Sequence, residues 1–339
     1  MIVVMKPGAT KDQVRHVIGL VREFGLKEHV IEGTDRTVVA CIGDKRMVEK
    51  DAIENAPMVE RIVPILAPYK MASLEVRKTR SAFEIGPQRF PLGANRVGVI
   101  AGPCSVESRD QILRTAEAVK EAGCMGLRGG AFKPRTSPYA FQGLGSKGLA
   151  ILAEARAQTG LAIVTEVIGL EQLDEVAEVS DVLQIGARNM QHYPLLEAVG
   201  KVRKPVLLKR GMSARLDEFL LAAEYIINAG NNQVILCERG IRTFEEYCRN
   251  TLCLTAIAAL NEMTHLPVIV DPSHGTGHAH FVGPMCRAAV AAGADGLMIE
   301  VHYNPQEAIV DGRQTITPGE LQDIIKACRE IHSLVNTGV

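Results

Sequence analysis

The sequence predicts an α/β chain in two parts, a (β/α)8 barrel preceded by a small βαββαβ domain. From Arg96 onward, short apolar runs alternate eight times with amphipathic helical stretches. Those runs are rich in Val, Ile and Leu without regular polar alternation, as expected of parallel strands buried on both faces. Before Arg96 the order of elements is different, and a stretch rich in Pro and Gly joins the two regions.

Ile2–Met5 reads as a strand and Lys11–Phe24 as a helix. Strands around His29–Ile31 and Thr37–Ile42, a short helix near Glu49–Glu54 and a strand over Val59–Leu66 complete residues 1–70. That order is the ferredoxin-like pattern, and it carries nothing resembling a catalytic cluster. Residues 71–95 contain Gly86, Pro87, Pro91 and Gly93, which suits a linker with a short hairpin. The barrel takes residues 96–339. Its predicted strands are Val97–Ala101, Met125–Arg128, Leu161–Thr165, Val182–Ile185, Pro205–Leu208, Gln233–Cys237, Pro267–Val270 and Gly296–Ile299. Helical stretches such as Asp110–Ala122 and Leu216–Ala229 follow them. Units of about thirty residues, eight in roughly 245, are the arithmetic of a TIM barrel; a doubly wound open sheet is the alternative.

Bulk properties exclude several functions. A net charge of −1 over 339 residues argues against a general nucleic-acid binder, so any phosphate grip is local. Trp is absent and aromatics make up 4%, which leaves no base-stacking platform. No apolar run approaches the ~20 residues of a membrane span. The opening MIVVMKPGAT, interrupted by Lys6 and Pro7, reads as a strand and lacks the layout of a secretory signal. Eight scattered cysteines without a CxxC pair read as free thiols of a reducing cytoplasm.

A barrel of this kind collects its chemistry at the C-terminal strand ends, and the polar residues fall there. The ends carry Cys104 in GPCSVES, Arg128, Thr165-Glu166, Arg188 in QIGARN, Lys209 and Arg210 in LLKRG, and Glu238 and Arg239 in CERG. Asp271 and His274 follow in DPSH, then Glu300 and His302, with Asp311 in the last loop. After Arg128 runs GLRGGAFKPRTSPYAFQGLG (126–145), too rich in Gly and Pro for helix or strand and charged only positively. Arg128, Lys133, Arg135, Arg188, Lys209 and Arg239 converge on one mouth, which makes sense around an anion. Cys104, His274, Glu300 and Asp311 come from strands that adjoin once a barrel closes. A thiol, an imidazole and two carboxylates suit one divalent ion of the Mn, Fe, Co or Zn class.

Plainer readings stand beside these. A lone Cys is a small hydrophobe, a lone His a hydrogen-bonded loop residue, and the cations ion-pair partners of Glu166 and Glu238. The GxGxxG-like run 143–148 does not directly follow a strand, which the dinucleotide motif requires. His278 and His280 of HGTGHAH read as loop residues, and Lys209 as an anion contact rather than a Schiff-base lysine.

GPCSVES, LRGGAFKPRTSP, QIGARN, LLKRG, ILCERGIRTFE, VDPSHGTG and IEVH together resemble 3-deoxy-D-arabino-heptulosonate 7-phosphate (DAHP) synthase, in the subfamily with a ferredoxin-like N-terminal domain. The resemblance spans nearly the whole chain. It implies condensation of phosphoenolpyruvate with erythrose 4-phosphate, the first step of the shikimate pathway. It implies Cys104, His274, Glu300 and Asp311 as metal ligands. Arg128, Lys133, Glu166, Ala187, Arg188, Lys209, Arg239 and Asp271 fall to substrate binding, and the turn Pro134-Arg135-Thr136-Ser137 to the sugar phosphate. Lys133, His274, Glu166 and Cys104 are the implied catalytic set, with His274, Glu166 and Lys133 all open as activators of the attacking water. An aromatic amino acid effector at the N-terminal domain and a homotetramer are also implied. Similar enzymes often carry adjacent arginines where this chain has His278-Ala279. The competing readings are 3-deoxy-octulosonate 8-phosphate synthase, using arabinose 5-phosphate, and a regulatory barrel without catalysis.

Overall fold

Residues 1–33, 36–43, 50–63, 68–93, 96–135 and 137–336 are described by the computed structural model. They fall into two units, Met1–Thr79 and Arg80–Val339. No helix among the described residues is long and apolar enough to cross a membrane.

In the first unit, β1 (Ile2–Met5) is buried along its whole length. It lies inside an antiparallel sheet with β2 (Lys27–Glu32), β3 (Thr37–Ile42) and β4 (Val59–Val63), in the order β2-β3-β1-β4. Helix α1 (Lys11–Glu23) starts in a capping box, Thr10 accepting from the Gln13 N–H and Gln13 accepting from the Thr10 N–H. Its Val14, Val17 and Val21, spaced for one helix face, pack with Met1 and with Val3 and Met5 of β1. Ile2 and Val4 point to the opposite face, against Val76. Burial on both faces is why β1 reads as a continuous apolar run. The short helix is α2 (Lys50–Glu54). Its predicted first residue, Glu49, and the predicted extension of β4 over Pro64–Leu66 lie outside the described residues.

The second unit opens with the hairpin β5 (Phe83–Ile85) and β6 (Phe90–Leu92). Eight parallel strands follow: β7 (Gly98–Gly102), β8 (Gly126–Arg128), β9 (Ala162–Glu166), β10 (Val182–Ile185), β11 (Val206–Lys209), β12 (Val234–Glu238), β13 (Val268–Val270) and β14 (Gly296–Glu300). They pair in sequence order, and β14 pairs β7 from Gly296↔Gly98 to Glu300↔Gly102. The ring is closed, which rules out the open sheet. Around it run α3 (Arg109–Glu121), α4 (Ser146–Thr159), α5 (Leu173–Val179), α6 (Tyr193–Lys201), α7 (Leu216–Asn228), α8 (Leu254–Met263), the short α9 (Pro272–Thr276), α10 (Ala279–Ala291) and α11 (Pro318–Asn336).

Ile85 and Leu92 of the hairpin belong to the same buried cluster as Ile100, Val164, Leu207, Ile269 and Met298. The hairpin thus plugs the barrel beside the strand starts, and the opposite end is left for chemistry.

Candidate active site

Strand geometry builds the site. Successive side chains alternate faces, so a residue two positions beyond an inward apolar residue points inward too. The core residues Val164, Val182, Leu207, Cys237, Ile269 and Met298 are followed at that spacing by Glu166, Gln184, Lys209, Arg239, Asp271 and Glu300. One strand repeat therefore carries each chain from apolar core to polar floor. At β7, Gly102 has φ +149°, and a Cβ there would meet the Arg128 carbonyl. Its absence lets the ends carrying Cys104 and Arg128 lie side by side.

A cavity of about 280 Å³ opens at this end. Cys104, Arg128, Lys133, Pro134, Arg135 and Glu166 line it, with Ala187, Arg188, Lys209, Arg239, His274 and Asp311.

At one side of it, ligand atoms of Cys104, His274, Glu300 and Asp311 all lie within 4.8 Å of one another. Cys104 Sγ is 3.3 Å from Asp311 Oδ2, and His274 Nε2 is 3.3 Å from Glu300 Oε1 and 4.0 Å from Asp311 Oδ2. A four-coordinate ion with bonds of about 2.0–2.3 Å spaces its ligands by about 3.3–3.8 Å. His274 Nδ1 lies 2.7 Å from Asp271 Oδ2. That bond puts the proton on Nδ1 and leaves Nε2 a lone pair. Burial lowers the His274 pKa against the pull of Asp271 and Glu300, which favours the neutral ring. A bare lone pair facing two carboxylates is repulsive unless a cation lies between them, so the donor set fits a divalent ion.

Burial acts on the neighbouring acids as well. Burial pushes the Cys104 thiol up to about 12, with Glu300 adding to it, while Lys133 Nζ, 3.3 Å from Sγ, pulls the other way. Burial raises Asp311, but Arg249 and His274 overcome it and hold the carboxyl at about 2. Burial likewise raises Asp271, and His274 and Lys209 bring it well below its usual range.

The cations are of two kinds. Arg128 Nη1 donates to Glu300 Oε1 at 2.8 Å, Lys209 pairs with Asp271, and Arg249 Nη1 lies 3.2 Å from Asp311 Oδ2. Each thus neutralises a carboxylate of the centre or one directly behind it. Arg239 is different: it is 5% exposed, and its Nη1 has no hydrogen-bond partner. Arg210 of LLKRG turns away from this set, donating to Glu238 Oε2 at 2.9 Å and to the Ala214 carbonyl. Arg210 and Glu238 thus form a buried ion pair of their own. Glu166 accepts from Gln184 at 3.3 Å instead of pairing with an arginine.

Not every expected contact is on the wall. Asp271 and Glu300 are fully buried, and Asp271 reaches the cavity only through His274 and Lys209. Ser137 is exposed and accepts from the Tyr139 N–H; Thr136 lies outside the described residues. Run 143–148 straddles the start of α4, beyond the end of β8. His278 stacks on Tyr247 and bonds its carbonyl. Gln184 and Arg249 line the cavity and were not anticipated. Gln184 follows from the two-residue repeat on β10. Arg249 had no such signal: it hangs in a patternless loop, fixed by backbone bonds of Arg249 and Asn250 to Thr276 and Gly275.

Residues 84–337 match the DAHP synthetase I family, and residues 1–67 match the DAHP synthase ferredoxin-like domain. Phospho-2-dehydro-3-deoxyheptonate aldolase of Thermotoga maritima is 46% identical over 331 residues, covering 98% of this chain and 97% of that enzyme. A crystal structure of that DAHP synthase covers 99% of this chain and 97% of its own, with a TM-score of 0.77. The 2-dehydro-3-deoxyphosphooctonate aldolase of Syntrophobacter fumaroxidans is more distant, 34% identical over 72% of this chain and 90% of that enzyme. With a closed eight-stranded barrel behind these matches, the chain belongs to the DAHP synthetase I family and carries that family's ferredoxin-like domain.

Proposed function

We propose that this chain condenses phosphoenolpyruvate with erythrose 4-phosphate, giving DAHP and inorganic phosphate. The observation that carries the reading is one cavity with a four-donor cluster beside it and, among its lining residues, a buried arginine whose Nη1 has no hydrogen-bond partner. The 46% identity to a heptonate aldolase, against 34% to an octonate aldolase, favours the four-carbon sugar.

Arg188, Lys209 and Arg239 hold the enol phosphate, and Arg128 and Lys133 its carboxylate; fixed cations stabilise charge without reorganising. Pro134, Arg135, Thr136 and Ser137 receive the sugar phosphate. Cys104, His274, Glu300 and Asp311 hold a divalent ion of the Mn, Fe, Co or Zn class. When bound, the ion supplies Lewis-acid polarisation of the aldehyde oxygen. The enol C3 attacks the aldehyde carbon, water adds at C2, and the C–O bond to phosphate breaks. Glu166, which is 8% exposed and lines the cavity, takes a proton from that water in this proposal. Lys133 lies beside the Cys104 sulfur and favours its thiolate form. Asp271 acts from behind, orienting His274.

The match of residues 1–67 supports a regulatory role for the first unit, with an aromatic amino acid as effector. Its removal is expected to leave activity and abolish inhibition. We further propose a homotetramer working in the cytoplasm.

The test is phosphate release with erythrose 4-phosphate or arabinose 5-phosphate as acceptor, with and without a chelator. Release with the four-carbon sugar, lost on chelation and restored by Mn or Co, is expected. Preference for the pentose points to octulosonate synthesis, and no release with either sugar to a non-catalytic barrel.

A further inference from the structure

Two residues of the quoted motifs have no part in the mechanism above, Glu107 of GPCSVES and His302 of IEVH. Their side chains are 6% and 2% exposed, and neither lines the cavity. The Glu107 carboxylate accepts the Ile309 N–H at 3.1 Å, the Val310 N–H at 3.3 Å and the Ser105 hydroxyl at 3.1 Å. His302 Nδ1 accepts the Asn304 N–H at 2.9 Å, which puts the ring proton on Nε2. That Nε2 has no hydrogen-bond partner and lies 3.9 Å from Glu107 Oε2.

The residue directly after this clasp is Asp311. It stands apart from Cys104, His274 and Glu300, which lie at or just past strand ends. Asp311 has φ +54°, a conformation unusual for a residue with a side chain. The segment before it has little apolar anchorage: between Tyr303 and Asp311, only Val310 is buried, and Ile309 is 63% exposed. A strained turn persists only where its surroundings hold it.

Resting on the metal-centre reading, we infer that Glu107, backed by His302, is a positioning residue that keeps Asp311 within reach of Cys104 and His274. It ties the loop after the last barrel strand to the loop after the first.

The probe is Co2+ titrated into the full chain stripped of metal. Wild type is expected to show a thiolate-to-cobalt charge-transfer band from Cys104 and d–d bands that report the ligand set. Glu107→Ala is expected to weaken Co2+ binding about 10- to 100-fold, keep the thiolate band, and take on the d–d spectrum of Asp311→Ala. In the Asp311→Ala background, Glu107→Ala costs no further affinity, because its only route to the ion is gone. Glu107→Gln, which keeps one acceptor for the amides, recovers most of the affinity. If the alanine variant does not fold, the smaller glutamine effect is expected to vanish in the same background. Wild-type affinity and spectrum in Glu107→Ala, or losses that add in the double variant, overturn this inference alone. A wild type without the thiolate band removes the metal-centre reading and this inference with it.

Discussion

His274 and Asp271 are joined by a 2.7 Å hydrogen bond from Nδ1 to Oδ2, and the same carboxylate oxygen pairs with Lys209. One buried anion therefore sets the tautomer of an imidazole on the proposed metal wall and neutralises a cation in the proposed phosphate pocket.

Asp271→Asn is expected to damage both. Metal affinity falls about 10- to 100-fold as the ring loses its anionic partner. Lys209 is left as an uncompensated buried charge, so stability drops by about 3–5 kcal/mol. Co2+ titration and urea unfolding separate the two effects; a variant unchanged in both would mean that Asp271 is a spectator.

Arg239→Ala tests the buried guanidinium whose Nη1 lacks a hydrogen-bond partner. A hydrogen bond to a charged group contributes about 1.5–3 kcal/mol, so kcat/KM for phosphoenolpyruvate should fall roughly tenfold to a hundredfold. The thermal midpoint should hold or rise, since no native bond to Nη1 is lost. A large drop in midpoint with unchanged kinetics would reassign Arg239 to structure.

Arg210→Met should do the opposite. The Arg210–Glu238 pair is 7% and 0% exposed, and removing one partner costs about 3–5 kcal/mol. KM for phosphoenolpyruvate should stay at the wild-type value when measured below the melting range. Lys209→Met, one residue away on the inward face, should raise that KM.

The first unit supplies a pH test. Burial lowers the His29 pKa from its ordinary 6.5, with Lys27 adding to the effect. Below 6.5 the unfolded chain takes up a proton that the folded one resists. Stability is therefore full above that pH and is lost as pH falls through the folded value. His29→Gln should flatten the decline in melting temperature between neutral and mildly acidic pH. An unchanged slope would show that His29 titrates alike in both states.

The barrel was legible because βα repetition is written in the apolar runs; strand boundaries shifted by about one residue because runs mark burial, whereas strands end where hydrogen bonding does. Cys104, His274, Glu300 and Asp311 could be named because barrel closure makes the first and last strands neighbours. Strand alternation turns Asp271 inward, which sequence shows; that His274 and Lys209 stand between it and the cavity depends on side-chain packing, which sequence does not show. Arg249 was invisible because its position depends on backbone bonds to the His274 loop, and Glu107 because its partners are main-chain amides two hundred residues downstream.

The pairing of β14 with β7 has a consequence for the molecule's history. Cys104 arrives on the opening stave and Glu300 on the closing one, so a nascent or clipped polypeptide ending before Gly296 keeps Cys104 and His274 but lacks Glu300 and Asp311, the other half of the proposed coordination shell. A cation seated there acts as a rivet through the join. At a free concentration of one hundred times its Kd it adds about 2.7 kcal/mol to the finished fold and nothing to an unfinished one. Damage that pries the staves apart should therefore announce itself first as released ion, before the helices outside have moved.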